Sequence, residues 1–212
     1  YRQRRFRDFI AEAIKARKNI LISAGTDTGK TTFLNAALKV IDERDRIITI
    51  EDTREVKLKQ PNALHLLASR GAQGQARVTP QDLLEACLRL RPSRIIMGEL
   101  RGVEAFTYLE AINSGHPGSL TTIHADIPEF AFERLALMVM RAGTPMNKAE
   151  IAAYLKLTVP IIVQFAKDAV GNRFISQIHY DPHALPAREA DTSVLRFGAT
   201  RAPRELCAQP SA

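Results

Sequence analysis

The segment AGTDTGKT, at residues 24–31, constrains this chain more than any other feature of its sequence. It follows a short apolar run at residues 19–23, which predicts a strand, and it leads into residues 31–38, which predict a helix. A strand, a loop containing glycine and a helix, in that order, are the setting of a phosphate-binding loop (P-loop). Glycines let backbone N–H groups turn inward around phosphate oxygens, and the start of the helix adds positive potential. The segment therefore predicts a nucleoside triphosphate site.

The side chains of the loop have separate predicted tasks. Lys30 is expected to reach the β- and γ-phosphates, and the hydroxyl of Thr31 is expected to ligate Mg²⁺. The alternative interpretation is a glycine-containing turn with a solvated lysine, and the flanking strand and helix disfavour it. The predicted nucleotide contacts are Gly25, Thr26, Asp27, Thr28, Gly29, Lys30, Thr31 and Thr32.

Two residues of the loop depart from the usual motif. Ala24 stands where a first glycine is common, and Asp27 brings a carboxylate to a loop that faces phosphate. Unless its side chain points outward, Asp27 is expected to weaken nucleotide binding by like-charge repulsion. Removal of that charge is then expected to lower the Michaelis constant for the nucleotide.

Short apolar runs alternate with helical patterns along the rest of the chain. Strands are predicted at residues 46–50, 64–67, 94–97 and 119–124, and a hairpin at residues 161–165 and 174–178. Helices are predicted from a Thr79 cap to before Pro92, and over residues 103–113, 128–142 and 147–157. Apolar strands that alternate with helices predict an α/β fold, with a mostly parallel sheet flanked by helices on both faces.

The two ends of the chain differ from this core. Residues 1–18 predict an amphipathic lead-in helix, with Phe6, Ile10, Ala13 and Ile14 on one face. Hydrophobic periodicity ends beyond Pro182, so residues 182–212 are predicted to form a loosely structured tail. The chain begins at Tyr1 without an initiator methionine, and we expect an upstream segment to be missing.

Composition excludes several classes of protein. No apolar run approaches the roughly 20 residues of a membrane span, and the 212 residues suffice for one sizeable core. Cys87 and Cys207 offer neither a disulfide framework nor a zinc site, which fits a reducing cytoplasm. The net charge of +7 raises nucleic acid as a partner, but the chain has no Trp and few other aromatic residues for base stacking. We therefore predict no specific nucleic-acid partner.

Acidic residues and a histidine end three of the predicted strands. Glu51 and Asp52 end one, Glu99 ends the next, and His124 ends a third. Ligands of open α/β sheets bind at the carboxyl ends of strands, and nucleotide hydrolysis needs a carboxylate there. The structural alternatives are a solvated pair for Glu51 and Asp52, a salt bridge to Arg101 for Glu99, and a structural histidine. His116 is expected to shape a turn, whereas His65 and His179 have no predicted function.

Three longer blocks strongly resemble the secretion and pilus traffic ATPases, specifically their type IV secretion and conjugation branch. They are RIITIEDT at residues 46–53, CLRLRPSRIIMGELR at residues 87–101 and SGHPGSLTTIHA at residues 114–125. With the P-loop ahead of them in the same order, the resemblance covers residues 19–142. The type II branch ordinarily carries a zinc insertion with four cysteines, which the two distant cysteines exclude here.

The resemblance implies a RecA-like P-loop ATPase core over residues 1–181, with ATP and Mg²⁺ as cofactors. A separate N-terminal domain would precede this core and is expected to be absent from the chain. The resemblance further implies a homo-hexameric ring on the cytoplasmic side of the inner membrane, in peripheral contact with that membrane and with other secretion components. The ring would hydrolyse ATP to drive protein transport.

The resemblance also implies roles for individual residues. Glu51 falls in the acidic box, as a general base or water positioner, and His124 falls in the histidine box, where it would donate a hydrogen bond to the γ-phosphate. Glu99 falls in the Walker B segment, where Gly98 occupies the place of the customary first acid. Mg²⁺ is therefore expected to be held by Thr31, the phosphates and waters, with Glu99 acting through those waters or on the attacking one. The predicted catalytic set is Lys30, Glu51, Glu99 and His124.

Two other functions stay open at this point. RecA-like cores also drive nucleic-acid translocases and helicases, whose hydrolysis would be stimulated by single-stranded DNA. The irregular P-loop would also fit a catalytically weak, nucleotide-binding assembly subunit, although the retained catalytic set argues against it. Arg54, Arg91 and Arg101 are candidates to reach the phosphates of a neighbouring subunit, and the sequence does not select among them.

Overall fold

The computed structural model describes residues 5–69 and 77–181, which form six helices and seven strands. In chain order the elements are α1 (Phe6–Lys15), β1 (Ile20–Ala24), α2 (Lys30–Leu38), β2 (Ile47–Glu51), β3 (Ala63–Leu67), α3 (Pro80–Arg89), β4 (Arg94–Met97), α4 (Glu104–Asn113), β5 (Leu120–Ile123), α5 (Pro128–Arg141), α6 (Lys148–Thr158), β6 (Ile161–Lys167) and β7 (Arg173–Tyr180). The predicted tail at residues 182–212 lies outside the described residues.

The strands of the described residues form one seven-stranded sheet in the order β3-β2-β4-β5-β1-β6-β7. All neighbouring strands pair in parallel except β6 and β7, which form an antiparallel hairpin. The prediction of an α/β fold with a mostly parallel sheet is confirmed. Because parallel strands share a direction, the carboxyl ends of β2, β4, β5 and β1 meet at one edge of the sheet.

Helices cover both faces of this sheet with separate apolar cores. On one face, α3, α4, α5 and α6 bury side chains such as Leu84, Tyr108 and Leu135 against the strands. On the other face, α1 and α2 bury side chains such as Ile14 and Leu34. Successive strand residues point to opposite faces, so both covered faces require the continuous apolar strands seen in the sequence.

Local sequence signals set the boundaries of several helices. The side chain of Thr79 accepts a hydrogen bond from the backbone N–H of Asp82, and Asp82 accepts one from the backbone N–H of Thr79, so α3 begins at Pro80 as predicted. Asn147 caps α6 through the same reciprocal arrangement with Glu150. Within the described residues, no helix is both long enough and apolar enough to cross a membrane.

A buried ion-pair network joins elements at the amino edge of the sheet. Arg94, which begins β4, is 3% exposed, and its Nε donates to Asp45 Oδ2 at 2.7 Å. Its Nη1 donates to the backbone carbonyl oxygens of Ile14 and Gly118, while Arg17 pairs with the other oxygen of Asp45. Buried charges are tolerated only when they are paired and hydrogen-bonded, so this network ties α1 to the starts of β2, β4 and β5.

Gly118 is required by this network as well as by its own backbone. Its φ is +78°, and a Cβ there would lie 2.9 Å from the Cα of Arg17 and closer still to Nη1 of Arg94. A side chain at position 118 would therefore displace the buried guanidinium from its partners. Gly143 offers a matched comparison, because its φ is +79° and nothing lies within 4 Å of a Cβ placed there.

We predict different costs for alanine at these two glycines. Gly143→Ala should lower the free energy of unfolding by about 1 kcal/mol, the cost of a left-handed backbone for a residue with a Cβ. Gly118→Ala should lower it by at least about 3 kcal/mol, because the added Cβ would also collide with the buried guanidinium of Arg94 and the backbone of Arg17. Urea unfolding of both variants measures the difference. Equal midpoints would contradict the prediction that a side chain at position 118 disturbs the buried network of Arg94.

Candidate nucleotide-binding site

The segment between β1 and α2 turns sharply at the carboxyl end of β1. Asp27 has φ +55° and Gly29 has φ +86°, both in the left-handed region. The hydroxyl of Thr28 donates to the carbonyl oxygen of Gly25 at 2.9 Å and braces the turn from inside. Gly29 is the N-cap of α2 and makes no side-chain cap, so the first N–H groups of the helix are available to an anion.

The ammonium of Lys30 lies over this turn. Its Nζ donates to the carbonyl oxygen of Ala24 at 2.9 Å and to that of Gly25 at 2.8 Å. Burial lowers the pKa of Lys30, an effect that Glu99 and Asp126 oppose and Arg134 reinforces. The nearby carboxylates help to keep the lysine charged, as a phosphate ligand must be.

The two departures from the usual motif occupy distinct environments. Ala24 is fully buried, and its methyl group belongs to the core formed with α1 and α2. The carboxylate of Asp27 accepts hydrogen bonds from Lys167 and Arg173 of the β6–β7 hairpin. Asp27 is therefore directed towards two cations.

A cleft of about 190 Å³ opens beside the turn, at the carboxyl edge of the sheet. Its lining includes Lys30, Thr31, Glu51 and Glu99, so the structure brings these four predicted residues together. His124 directly follows β5 at the same edge and is partly exposed, and its carbonyl oxygen accepts a hydrogen bond from Arg134. The strand order explains the grouping, because β4 and β5 lie between β2 and β1.

The carboxylate of Glu51 is held in a fixed orientation. Glu51 is 5% exposed, and its Oε1 accepts hydrogen bonds from the backbone N–H groups of Glu55 at 3.0 Å and Val56 at 2.8 Å. Gly98 lies against it, since a Cβ at position 98 would be 3.3 Å from the Cγ of Glu51. An acid in the customary Walker B position would therefore press on Glu51, whose Cβ and Cγ lie beside that position.

A histidine without a predicted function lies behind Glu51. The hydroxyl of Thr49 is 2.8 Å from Nδ1 of His65 and 3.4 Å from Oε2 of Glu51. Burial and the nearby Arg54 lower the pKa of His65, while Glu51 opposes that change. Thr49 thus connects the imidazole to the carboxylate within the sheet, because β2 and β3 pair at this register.

Glu99 forms the salt bridge that the sequence offered as an alternative to a catalytic role. Its Oε2 accepts a hydrogen bond from Nε of Arg101 at 2.8 Å and lies 2.6 Å from Nη2 of the same guanidinium. Nη1 of the same arginine donates to Oδ2 of Asp52 at 2.5 Å. Arg101 therefore joins the acidic residues that follow β2 and β4 while Glu99 still lines the cleft.

Glu55 lines the same cleft and was not predicted by the sequence analysis. Its Oε2 accepts a hydrogen bond from the hydroxyl of Thr31 at 3.0 Å, and its carbonyl oxygen accepts one from Asn35 of α2. Glu55 does not end a strand, so strand-end reasoning passed over it. The available signal was its position four residues after Glu51, in an acidic segment.

The oxygen-rich lining suits a magnesium ion bound together with phosphate. Mg²⁺ prefers oxygen ligands and keeps several waters, and the Thr31 hydroxyl lies in the same cleft as the carboxylates of Glu51, Glu55 and Glu99. Over residues 5–69 and 77–181, no group of three or more His, Cys, Asp or Glu side chains is arranged to hold a metal ion.

The left-handed turn, the helix start and the acidic cleft at the carboxyl edge of this sheet define a P-loop protein of the RecA-like α/β class. Residues 2–184 match the family described as "Type II/IV secretion system protein", and the chain belongs to that family.

Individual relatives agree with this assignment. The type IV secretion system protein VirB11 of Bartonella quintana is 44% identical over 184 residues, which cover 86% of this chain and 51% of the relative. The crystal structure of the Brucella suis VirB11 ATPase in complex with sulphate matches with a TM-score of 0.78 at 37% identity, covering 84% of this chain and 53% of that one. The pilus retraction motor PilT with bound ADP, with a TM-score of 0.59 at 23% identity and coverage of 78% and 50%, supports the fold alone.

The chain spans about half the length of the curated relatives it matches. The predicted resemblance to traffic ATPases, their type IV branch and the RecA-like fold are confirmed.

The contact between Thr31 and Glu55 predicts a defect in magnesium use. If Thr31 ligates Mg²⁺, Glu55→Gln should raise the Mg²⁺ concentration needed for half-maximal binding of a fluorescent ATP analogue by about tenfold, because the Thr31 hydroxyl loses the carboxylate that orients it. Glu43→Gln is the matched control, since Glu43 is exposed near the amino edge of the sheet. An unchanged Mg²⁺ requirement in Glu55→Gln would exclude Glu55 from the metal site.

Proposed function

We propose that this chain is the ATP-hydrolysing domain of a type IV secretion motor. Its membership of the secretion family supports this proposal, as does its similarity to proteins named as type IV secretion components. The observation that carries the proposal is the shared cleft, in which Lys30 and Thr31 of the P-loop lie with Glu51 and Glu99. A triphosphate bound by the P-loop would place its terminal phosphate among these carboxylates.

Each residue has a distinct task in this mechanism. Lys30 and the first N–H groups of α2 bind the phosphates. Thr31 and phosphate oxygens would hold a Mg²⁺ ion, which would supply stabilisation of the charge that develops during transfer. Glu51 orients or deprotonates the attacking water, because two backbone N–H groups fix its carboxylate. His124 donates a hydrogen bond to the γ-phosphate, and Glu99 would orient the waters of a bound Mg²⁺ ion or the attacking water.

The proposed motor is a homo-hexameric ring at the cytoplasmic face of the inner membrane, working with other secretion components. Among the candidate arginines for a neighbouring subunit, Arg91 precedes β4 and so lies towards the edge of the sheet opposite the cleft. Arg101 is bound to Glu99 and Asp52. Arg54 is exposed in the segment after β2 and is the arginine that we propose to test in a mixed ring.

Substitutions in the cleft test the proposed hydrolysis. Lys30→Ala and Glu99→Gln should each lower the turnover number for ATP at least about tenfold, equivalent to about 1.4 kcal/mol of barrier. Lys39→Ala and Glu110→Gln are the matched controls, since Lys39 is exposed just after α2 and Glu110 is exposed on α4. Near-normal turnover in either cleft variant would mean that the site is misplaced.

Two additions to the same assay separate the proposed motor from its alternatives. Single-stranded DNA should leave the rate unchanged, and stimulation would favour a translocase. A rate at the buffer background, with ATP binding retained, would favour a catalytically weak assembly subunit.

A further inference from the structure

Asp27 connects the P-loop to a distant part of the chain. Its Oδ1 accepts a hydrogen bond from Nη2 of Arg173 at 2.7 Å, and its Oδ2 accepts one from Nζ of Lys167 at 2.9 Å. Nε of Arg173 also donates to the backbone carbonyl oxygen of Asp27 at 3.0 Å. We call these three residues the Asp27 clamp. Both carboxylate oxygens and the carbonyl oxygen of Asp27 are thereby bound.

The β6–β7 hairpin places the two cations next to the loop. Lys167 ends β6 and Arg173 begins β7, and the two residues are paired across the hairpin. Ala24, the last residue of β1, pairs with Phe165, so β6 continues two residues beyond the end of its parallel neighbour. This overhang of roughly 7 Å lies alongside the P-loop. The hairpin turn is itself braced, because Asp168 accepts hydrogen bonds from the backbone N–H groups of Val170 and Asn172.

The Asp27 clamp involves both P-loop residues that have a left-handed backbone conformation, Asp27 and Gly29. A residue with a Cβ pays an energetic cost for the φ of +55° that Asp27 adopts, and its three hydrogen bonds oppose that cost. The side chain of Arg173 also packs on Gly29, since a Cβ placed there would lie 3.1 Å from Cδ of the arginine. Arg173 therefore bears on the two backbone positions that give the loop its shape.

The clamp also changes the electrostatics expected from the sequence. Hydrogen bonds and charge from Lys167 and Arg173 lower the pKa of Asp27, because they favour its ionised form. The negative charge of Asp27 lies between the positive charges of Lys167 and Arg173, so the three side chains carry a net positive charge beside the P-loop. The repulsion of phosphate predicted for an isolated Asp27 is thereby offset.

We propose that Lys167 and Arg173 are positioning residues that act through Asp27 to hold the P-loop in its triphosphate-binding shape. The proposal rests on the proposed function only in requiring that this loop binds nucleotide. It couples the nucleotide site to the β6–β7 hairpin, so a force or partner that moves the hairpin would change the affinity for ATP.

A double-mutant cycle at Asp27 and Arg173 tests the clamp. Asp27→Ala and Arg173→Ala should each raise the Michaelis constant and the dissociation constant for ATP about three- to fivefold, a range set by the modest strength of exposed ion pairs. The turnover number should change by less than about twofold, because the chemistry of the cleft is untouched. The losses in the double variant should be less than additive, since both substitutions remove the same side-chain pair, although each also removes a contact of its own. Arg173→Lys should recover part of the affinity.

Lys148→Ala supplies the matched control. Lys148 forms an exposed ion pair with Glu133 at 2.9 Å, of the same kind as the pair of Lys167 with Asp27 but between α5 and α6. Its loss should leave ATP affinity unchanged. Thermal unfolding of all variants should show similar midpoints, so that a weaker affinity is assigned to the loop and not to loss of fold.

Each other outcome has a defined meaning. If Asp27→Ala lowers the Michaelis constant while Arg173→Ala raises it, the cations bind phosphate directly and the clamp is wrong. Additive losses in the double variant, or affinities equal to the unsubstituted chain in both single variants, would also overturn it. Lys30→Ala in the same binding assay distinguishes failure of the clamp proposal from failure of the proposed function. If the unsubstituted chain binds ATP and Lys30→Ala does not, failure of the clamp leaves the proposed function intact.

Discussion

The parallel pairing of β1 with β5 and β6 determines where every candidate site residue lies. β1 is buried along its whole length, and it delivers the P-loop at the carboxyl edge of the sheet. Because β5, β4 and β2 follow on one side in the same direction, His124, Glu99 and Glu51 emerge at that edge. Because β6 follows on the other side, Lys167 and Arg173 reach the loop from there. One set of backbone ladders thus positions both the cleft and the Asp27 clamp.

The part of this arrangement that depends on local signals could be predicted from the sequence. The Thr79 cap, the apolar strands and the loop ahead of Lys30 are each written within a few neighbouring residues, and strand ends direct attention to Glu51 and Glu99. Glu55, Lys167 and Arg173 were missed because their partners are 24 to 146 residues away in the chain. Such contacts depend on the order and register of the strands, which local patterns in a single sequence do not specify.

The departures from the usual motifs are explained by neighbouring residues. The methyl group of Ala24 fills core space, and Gly98 leaves room for the side chain of Glu51. Asp27 meets two cations, so its charge is used in holding the loop. In the sequence, each of these positions looks like an isolated deviation from a motif. In the folded chain, each residue forms part of a contact. The same reasoning joins Glu99 to Arg101, since a salt bridge and a place in the cleft are compatible.

The two edges of the sheet use ion pairs of different physical character. At the amino edge, Arg94 and Asp45 are buried, and breaking their pairing would leave an uncompensated charge in a region of low dielectric. At the carboxyl edge, the pairs of Arg101 and of the Asp27 clamp are partly or largely exposed, so water and salt weaken them. A ligand charge can rearrange exposed pairs at little cost but cannot rearrange buried ones. The fold therefore keeps one edge fixed and leaves at the other a set of charges that can respond to a charged ligand.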